Sequence, residues 1–292
     1  MILNASTLAS LTTGFKASFQ KGFSSATSLW QRVATLVPST TSENTYAWLG
    51  EFPMLREWIG DRQVKNLSQS DYSLKNRKFE STISVKRDAI DDDQYGIYAP
   101  LFESMGQAAA SHPDELVFAL LAVAFGTKCY DGQFFIDSDH PVGAGTVSNS
   151  GGGSSHPWFL LDTTRPLKPL IFQKRRDYAL KALTDPGQEN VFMRDEYLYG
   201  TDARANVGFG FWQMAYGAKV TLDATAFETG FKAMELFKSD EGRPLNIKPN
   251  LLVVGPSLRA AAKALIEVDR LASGASNPNY KAVEVLVVPW LG

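Results

Sequence analysis

Two carboxylates and an imidazole fall within four residues in the stretch FFIDSDHP: Asp137, Asp139 and His140. Oxygen and imidazole donors this close together suit a divalent cation, and a bound cation is one route to hydrolytic chemistry. The same residues also suit a turn after a strand, because Asp and Ser readily bond their own backbone there. The turn is the simpler reading. The other histidines, His112 and His156, stand far away in sequence and each precedes a proline, which suits loops. Cys129 is the only thiol, and no nucleophile motif surrounds it, so a buried cysteine beside a hairpin is expected rather than a catalytic one. No GxSxG, HExxH, Walker or GxGxxG element exists.

A second kind of chemistry is charge. Lys174, Arg175 and Arg176 form a basic run, and the aromatic segment from Asp195 to Gly217 offers rings that can stack on bases. The chain as a whole argues against a nucleic-acid coat: its formal net charge is −2 and its isoelectric point is near 6.0, so contact with DNA has to be local. Packing in a core or an interface is the expected role of the aromatic segment.

The elements that position these residues are legible as changes of period. From Lys78 to Lys86, Phe79, Ser81, Ile83 and Val85 alternate with Lys78, Glu80, Thr82, Ser84 and Lys86, the pattern of a strand with one wet face. The stretch Tyr72 to Ala110 opens as a two-stranded arm, which is marginal alone and so needs a partner surface. It then passes into a helix with a stripe of Tyr98, Leu101, Phe102, Met105, Ala108 and Ala109, and Asp91, Asp92 and Asp93 are placed to cap that helix. Pro113, Asp114 and Glu115 read as the start of a separate helix, apolar on all sides from Leu116 to Phe125.

Before this stretch, Leu8, Leu11, Phe15 and Phe19 follow helical spacing, as do Leu29, Trp30, Val33 and Val37; short helices docked on another subunit are expected. After it come a hairpin at Asp131-Gly132, a flexible loop from Gly143 to Ser155, and short buried strands in WFLLD and KPLIFQ. The last quarter is α/β: a helix lined by Phe227, Phe231 and Met234, a strand from Leu251 to Val254, a helix capped by Ser257, and a final strand from Val283 to Val288.

Composition bounds the rest. A chain of 292 residues holds one or two domains and, at 44% hydrophobic, has enough apolar side chains for a large core. One cysteine permits no intrachain disulfide and leaves no thiolate-based zinc site; a reducing compartment fits. The first residues do not read as a signal peptide, and the ten apolar residues from Leu116 to Phe125 are about half of a membrane span, so a protein soluble inside a cell, or assembled there, is expected.

Several long blocks in consistent order resemble the Mu-like phage major head subunits, which are major capsid proteins of tailed phages. They are FESTISVKRDAIDDDQYGIYAP, CYDGQFF with DHP, WFLLDTTRPLKPLIFQKR, VFMRDEYLYGTDARANVGFGFWQMAYG, and NIKPNLLVVGPSLRAAAKAL followed by VEVLVVPWL. The resemblance runs from about Trp48 to Leu291. It implies an α+β fold of the HK97-like type, first described in phage Hong Kong 97. Its parts would be an N-terminal arm over 1–66, an extended E-loop over 67–93, a peripheral domain with a spine helix over 94–139, completed by a strand near 281–292, and an axial domain over 140–280.

The resemblance implies a structural protein with no catalytic residue, metal or cofactor. It would self-assemble as hexamers and pentamers into an icosahedral virion shell around double-stranded DNA, built in the host cytoplasm. Implied partners are other copies of the chain, a scaffolding protein, a portal, a decoration protein and packaged DNA through non-specific contact, with no membrane. Inter-subunit contacts would fall on Lys78, Phe79, Glu80, Ile83, Val85, Lys86 and Arg87 and on Trp48 and Trp58, and Lys174, Arg175 and Arg176 would be the DNA-facing run. The competing readings are a metal-dependent enzyme using Asp137, Asp139 and His140, and a DNA-binding module.

Overall fold

The computed structural model describes residues 5–50, 72–92, 94–185 and 187–292. In chain order its elements are α1 (Ala5–Ser25), β1 (Ala34–Pro38), β2 (Glu43–Thr45), β3 (Ser73–Lys75), β4 (Arg77–Lys86), α2 (Arg87–Asp91) and α3 (Ala99–Ala122). They are followed by β5 (His140–Val142), β6 (Gly145–Val147), β7 (Ser150–Gly153), β8 (Trp158–Leu161), β9 (Leu170–Leu183), α4 (Glu189–Arg194), β10 (Glu196–Phe209) and β11 (Ala215–Lys219). The chain closes with α5 (Ala224–Glu235), β12 (Leu251–Val254), α6 (Arg259–Ile266) and β13 (Glu284–Val287). Among the described residues, no helix is long and apolar enough to cross a membrane.

Two sheets carry the architecture. One has the order β1-β9-β10-β4 and the other β13-β12-β8-β11-β7. Strands β9 and β10 are 14 residues each and form an antiparallel ribbon with α4 at its tip. Strand β4 lies along the outer side of that ribbon, registered from Arg77 opposite Ala205 to Lys86 opposite Glu196. The alternation read from the sequence is present: Val85 is buried, Phe79 and Ile83 are half-buried, and Lys78, Glu80, Thr82, Ser84 and Lys86 are exposed. Among the described residues β4 finds its partner in β10, more than a hundred residues further on, and so is paired within its own subunit rather than with a strand next to it in the chain.

Helix α3 joins two cores. Its first half presents Phe102, Met105 and Ala109 to a cluster containing Leu8, Leu11, Phe15 and Phe19 of α1 with Val85, Leu180, Tyr197 and Tyr199. Its second half presents Val117, Phe118 and Leu121 to a larger cluster built on β8, β12 and the first residues of β9. The expected break at Pro113 does not occur: the helix runs through it, forgoing one backbone hydrogen bond, and Pro113 is buried. Nor do Asp91 and Asp92 cap this helix, since Asp91 ends α2, a 3-10 turn from Gln94 to Tyr98 follows and no side-chain bond caps the start of α3; Asp93 lies outside the described residues.

Helix α1 docks on its own chain rather than on a neighbour. Phe15 stacks on Phe102 with ring centroids 4.3 Å apart and meets Tyr199 edge-on at 5.2 Å. Glycines at the crossing bring the two backbones together: a Cβ on Gly22 would lie 1.9 Å from Glu103 O, and one on Gly106 2.1 Å from Phe19 O. The second expected N-terminal helix is instead a 3-10 turn at Trp30–Arg32 followed by β1. The glycine-rich stretch after Gly143 forms β6 and β7 rather than a loose loop, and Ser257 sits in a 3-10 turn before α6 without capping it.

Candidate assembly surfaces and the buried cluster around His140

The acidic stretch after Phe135 does not converge on a cation. Asp137 accepts from the backbone N–H of Phe134 at 3.0 Å and of Ser138 at 2.8 Å, which is turn chemistry. Asp139 is exposed. His140 is fully buried and turned the other way, with Nδ1 2.7 Å from Asp131 Oδ2 and its ring stacked on Trp212 at 4.0 Å. Its true neighbours are Asp131 and Asn149, which no local pattern in the sequence announces. Asn149 is fully buried; its Nδ2 donates to the carbonyls of Phe135, Trp212 and Ala215, and its Oδ1 lies 3.2 Å from His140 Nε2.

Cys129 completes this cluster and is not a nucleophile. Its Sγ donates to Asp131 Oδ1 at 3.1 Å, and burial followed by the charge of Asp131 pushes the thiol well above its ordinary range. Burial alone would raise the Asp131 carboxyl, but hydrogen bonds from His140 and Cys129 outweigh it and leave the group below its usual value. A thiol bonded to a carboxylate, with no imidazole taking its proton, lacks the geometry of a cysteine hydrolase.

The residues expected at interfaces divide by environment. Lys78, Glu80 and Lys86 stand exposed on the outer face of β4, whereas Val85 is completely buried and has no surface to offer a neighbour. Arg87 pairs with Asp195 at 3.7 Å, tying α2 to the end of α4. Trp48 is half-buried against Tyr46 and Phe211, each 5.8 Å away between ring centroids, and Trp58 lies outside the described residues. The basic run sits mid-strand in β9. Lys174 pairs with Asp177 at 2.7 Å, and Asp202 takes both Arg176 and Lys181, so much of the positive charge is matched.

A further exposed surface lies at the tip of the long ribbon. On α4, Phe192 and Met193 are 83% and 68% exposed, with Leu183 exposed beside them. The only signal in the sequence is an apolar triplet, Val191 to Met193, between Pro186-Gly187 and Arg194-Asp195. Adjacent large apolar side chains left this open on a projecting element suit a contact with another chain.

A groove of about 280 Å³ lies between α3 and the ribbon, lined in part by Phe79, Met105, His112, Glu115 and Tyr178. His112, expected in a loop, is inside α3; its Nδ1 is 2.5 Å from Tyr178 Oη and its ring meets Phe79 at 4.3 Å. Burial, opposed by Glu115 and assisted by Arg77, holds the imidazole below its ordinary 6.5. The folded state therefore resists a proton that the unfolded chain accepts, so stability present above about 6.5 is lost as the pH falls from there toward the folded-state value. Thermal melts from about pH 7 to about pH 5 should show wild type losing more stability than His112→Gln; equal losses would show that His112 does not govern the acid sensitivity.

The mixed helices and sheets, with a long paired ribbon and a helix shared by two cores, are those of a phage capsid subunit, an α+β fold of the HK97-like type. The family model described as Mu-like prophage major head subunit gpT matches residues 8–291, and the chain belongs to that family. The Mu-like prophage FluMu major head subunit of Haemophilus influenzae is 44% identical over 266 residues, covering 87% of this chain and 86% of that one. The major capsid protein of Escherichia phage Mu is 39% identical with both chains wholly covered. Among solved structures, the procapsid of bacteriophage JBD30 matches with a TM-score of 0.89 at 48% identity, covering 99% of this chain and all of that one. The chain is a major capsid protein of a tailed phage, a structural component of the virion, and neither the enzyme nor the DNA-binding reading is supported.

Proposed function

We propose that copies of this chain close into an icosahedral shell as hexamers and pentamers around double-stranded DNA. The observation that carries this reading at the residue level is the exposed pair Phe192 and Met193 at the end of a ribbon of two 14-residue strands. A subunit in a closed shell meets several neighbours through contacts that are each modest, and a projecting apolar tip is an economical way to make one. The outer face of β4, with Lys78, Glu80 and Lys86, supplies a second, charged contact that sets register more than strength.

In the proposed division of the chain, α1, α3, β4 and the distal part of the β9–β10 ribbon form the peripheral part, because they share one core. The axial part is the sheet β13-β12-β8-β11-β7 with α5 and α6. Within the proposed E-loop range of 67–93, β3 pairs with β2 and β4 with β10, and Tyr46 N donates to Tyr72 O at 2.8 Å. A scaffolding protein and a portal are partners this role requires. A decoration protein is proposed by analogy with the JBD30 capsid decorated with minor capsid protein trimers. Contact with packaged DNA is non-specific and weak at Lys174, Arg175 and Arg176, given the matching charge of Asp177 and Asp202.

The test is the double variant Phe192→Ser with Met193→Ser. Both side chains are exposed in the lone subunit, so its stability should move by no more than about 0.5 kcal/mol. Shell yield by sedimentation should fall steeply. Wild-type yield of closed shells from the double variant would overturn the assignment of the tip.

A further inference from the structure

We propose that Cys129, Asp131 and His140 form a binding site for a single tetrahedral divalent ion of the zinc type, with Asn149 orienting the histidine. A thiolate sulfur, a carboxylate oxygen and an imidazole nitrogen are a donor set that zinc takes, and here the three ligand atoms all lie within 4.8 Å of one another. His140 is 0% exposed and Cys129 5%. One cysteine is too few for an all-thiolate cluster, which is why composition alone argues against zinc; a mixed site needs only one.

The orientation of Asn149 is decisive. Its Nδ2 is committed to three backbone carbonyls, so its Oδ1 must face His140, and Nε2 of the ring carries a hydrogen toward it. The other nitrogen, Nδ1, points at Asp131 Oδ2 from 2.7 Å. Two electron-rich atoms at that separation share a hydrogen, whose place a metal ion could take only if the pair moved apart. Cys129 Sγ reaches the other oxygen of the same carboxylate at 3.1 Å, so thiol and imidazole flank one carboxylate and would have to turn from its two oxygens to a shared ion. Histidine ligands commonly donate their second ring N–H to a fixed oxygen in this way.

The fit is close without being pre-expanded. Tetrahedral zinc holds its donors roughly 3.4 Å apart, so the Nδ1–Oδ2 pair at 2.7 Å must open by roughly 0.7 Å. Cys129 and Asp131 sit on one tight hairpin, bridged between Lys128 and Phe134, with Gly132 at φ +88° at its turn, and this is the part able to give. The ion would replace the hydrogen between Nδ1 and Oδ2 and the thiol hydrogen, both leaving to solvent, with water as fourth ligand on the side where Asp131 is 9% exposed. Trp212 covers the ring face and Asn149 closes the far edge of the site. It would pin the hairpin after α3 to the chain around β5 and β7. The site lies within one chain and is independent of how subunits meet.

The purified full-length chain, stripped with a chelator, dialysed and titrated with Co²⁺ and then Zn²⁺, tests it directly. Saturation at about one ion per chain is expected, with a thiolate-to-cobalt charge-transfer band and the visible bands of tetrahedral cobalt. Cys129→Ser should abolish the charge-transfer band, while Asp139→Asn, which alters the exposed neighbour, should leave it intact. Wild-type protein that is folded by circular dichroism yet shows no band and retains no metal would overturn the proposal. So would a band that survives Cys129→Ser, or hydrogens that nuclear magnetic resonance finds on both His140 ring nitrogens in excess Zn²⁺, meaning a proton only.

Discussion

Replacing Asp114 by alanine is expected to destabilise the unassembled subunit by about 4 kcal/mol, a large share of the roughly 5–15 kcal/mol margin that folded domains have. Asp114 is 3% exposed and sits in the middle of α3. It accepts from the backbone N–H of Trp30 at 2.6 Å, from that of Leu29 through both oxygens at 2.9 and 3.0 Å, and from Ser28 Oγ at 3.1 Å. These bonds fix the turn between α1 and β1 to the helix that joins the two cores. Alanine leaves three donors, two of them backbone, without their acceptor in a place that water cannot easily reach. Asp114→Asn keeps one acceptor oxygen and should recover about half of the loss. Denaturant unfolding would check both, and a loss under about 1 kcal/mol for the alanine variant would mean that the turn finds other partners.

The second large effect is expected at the crossing of α1 and α3. A side chain at Gly106 must occupy space 2.1 Å from Phe19 O, nearer than any real Cβ contact, so Gly106→Ala should force the helices apart. A cost of about 3 kcal/mol is expected, because overpacking here also strips cover from Phe15 and Phe19. Gly14 lies on α1 where an added methyl would have nothing within 4 Å, so Gly14→Ala should instead stabilise by about 0.5 kcal/mol or more. Opposite shifts in melting temperature, with faster proteolysis of the N-terminal segment in the Gly106 variant, would be the signature. Equal behaviour of the two alanine variants would contradict the close crossing.

Local pattern is readable where a single element buries a single face. The alternation that forms β4 and the stripes that form α1 and the first half of α3 are of this kind. Pairing is not readable, because nothing near Phe79 in the chain announces Ala203 as its partner across the ladder. Short apolar spacings mislead where strand and helix periods overlap, as from Leu29 to Val37. Glycines mislead in the other direction. Gly151 and Gly153 signal a loop by composition, yet they are small because β7 passes close to Tyr216 and the backbone of Lys219. The cluster around His140 is half visible: the histidine stands out in the sequence, but side-chain direction within a turn separates it from Asp137 and Asp139 and hands it to Asp131, nine residues earlier. The apolar tip is hidden because exposure of Phe192 depends on how far the ribbon projects, which sequence does not reveal.

Imaging the purified full-length chain by electron microscopy, with sedimentation of the same sample, tests the central claim most directly. Closed shells of uniform size, with subunits grouped in sixes and fives, are predicted. A chain that stays monomeric across protein concentration and salt, and in the presence of the proposed scaffolding protein, would contradict it.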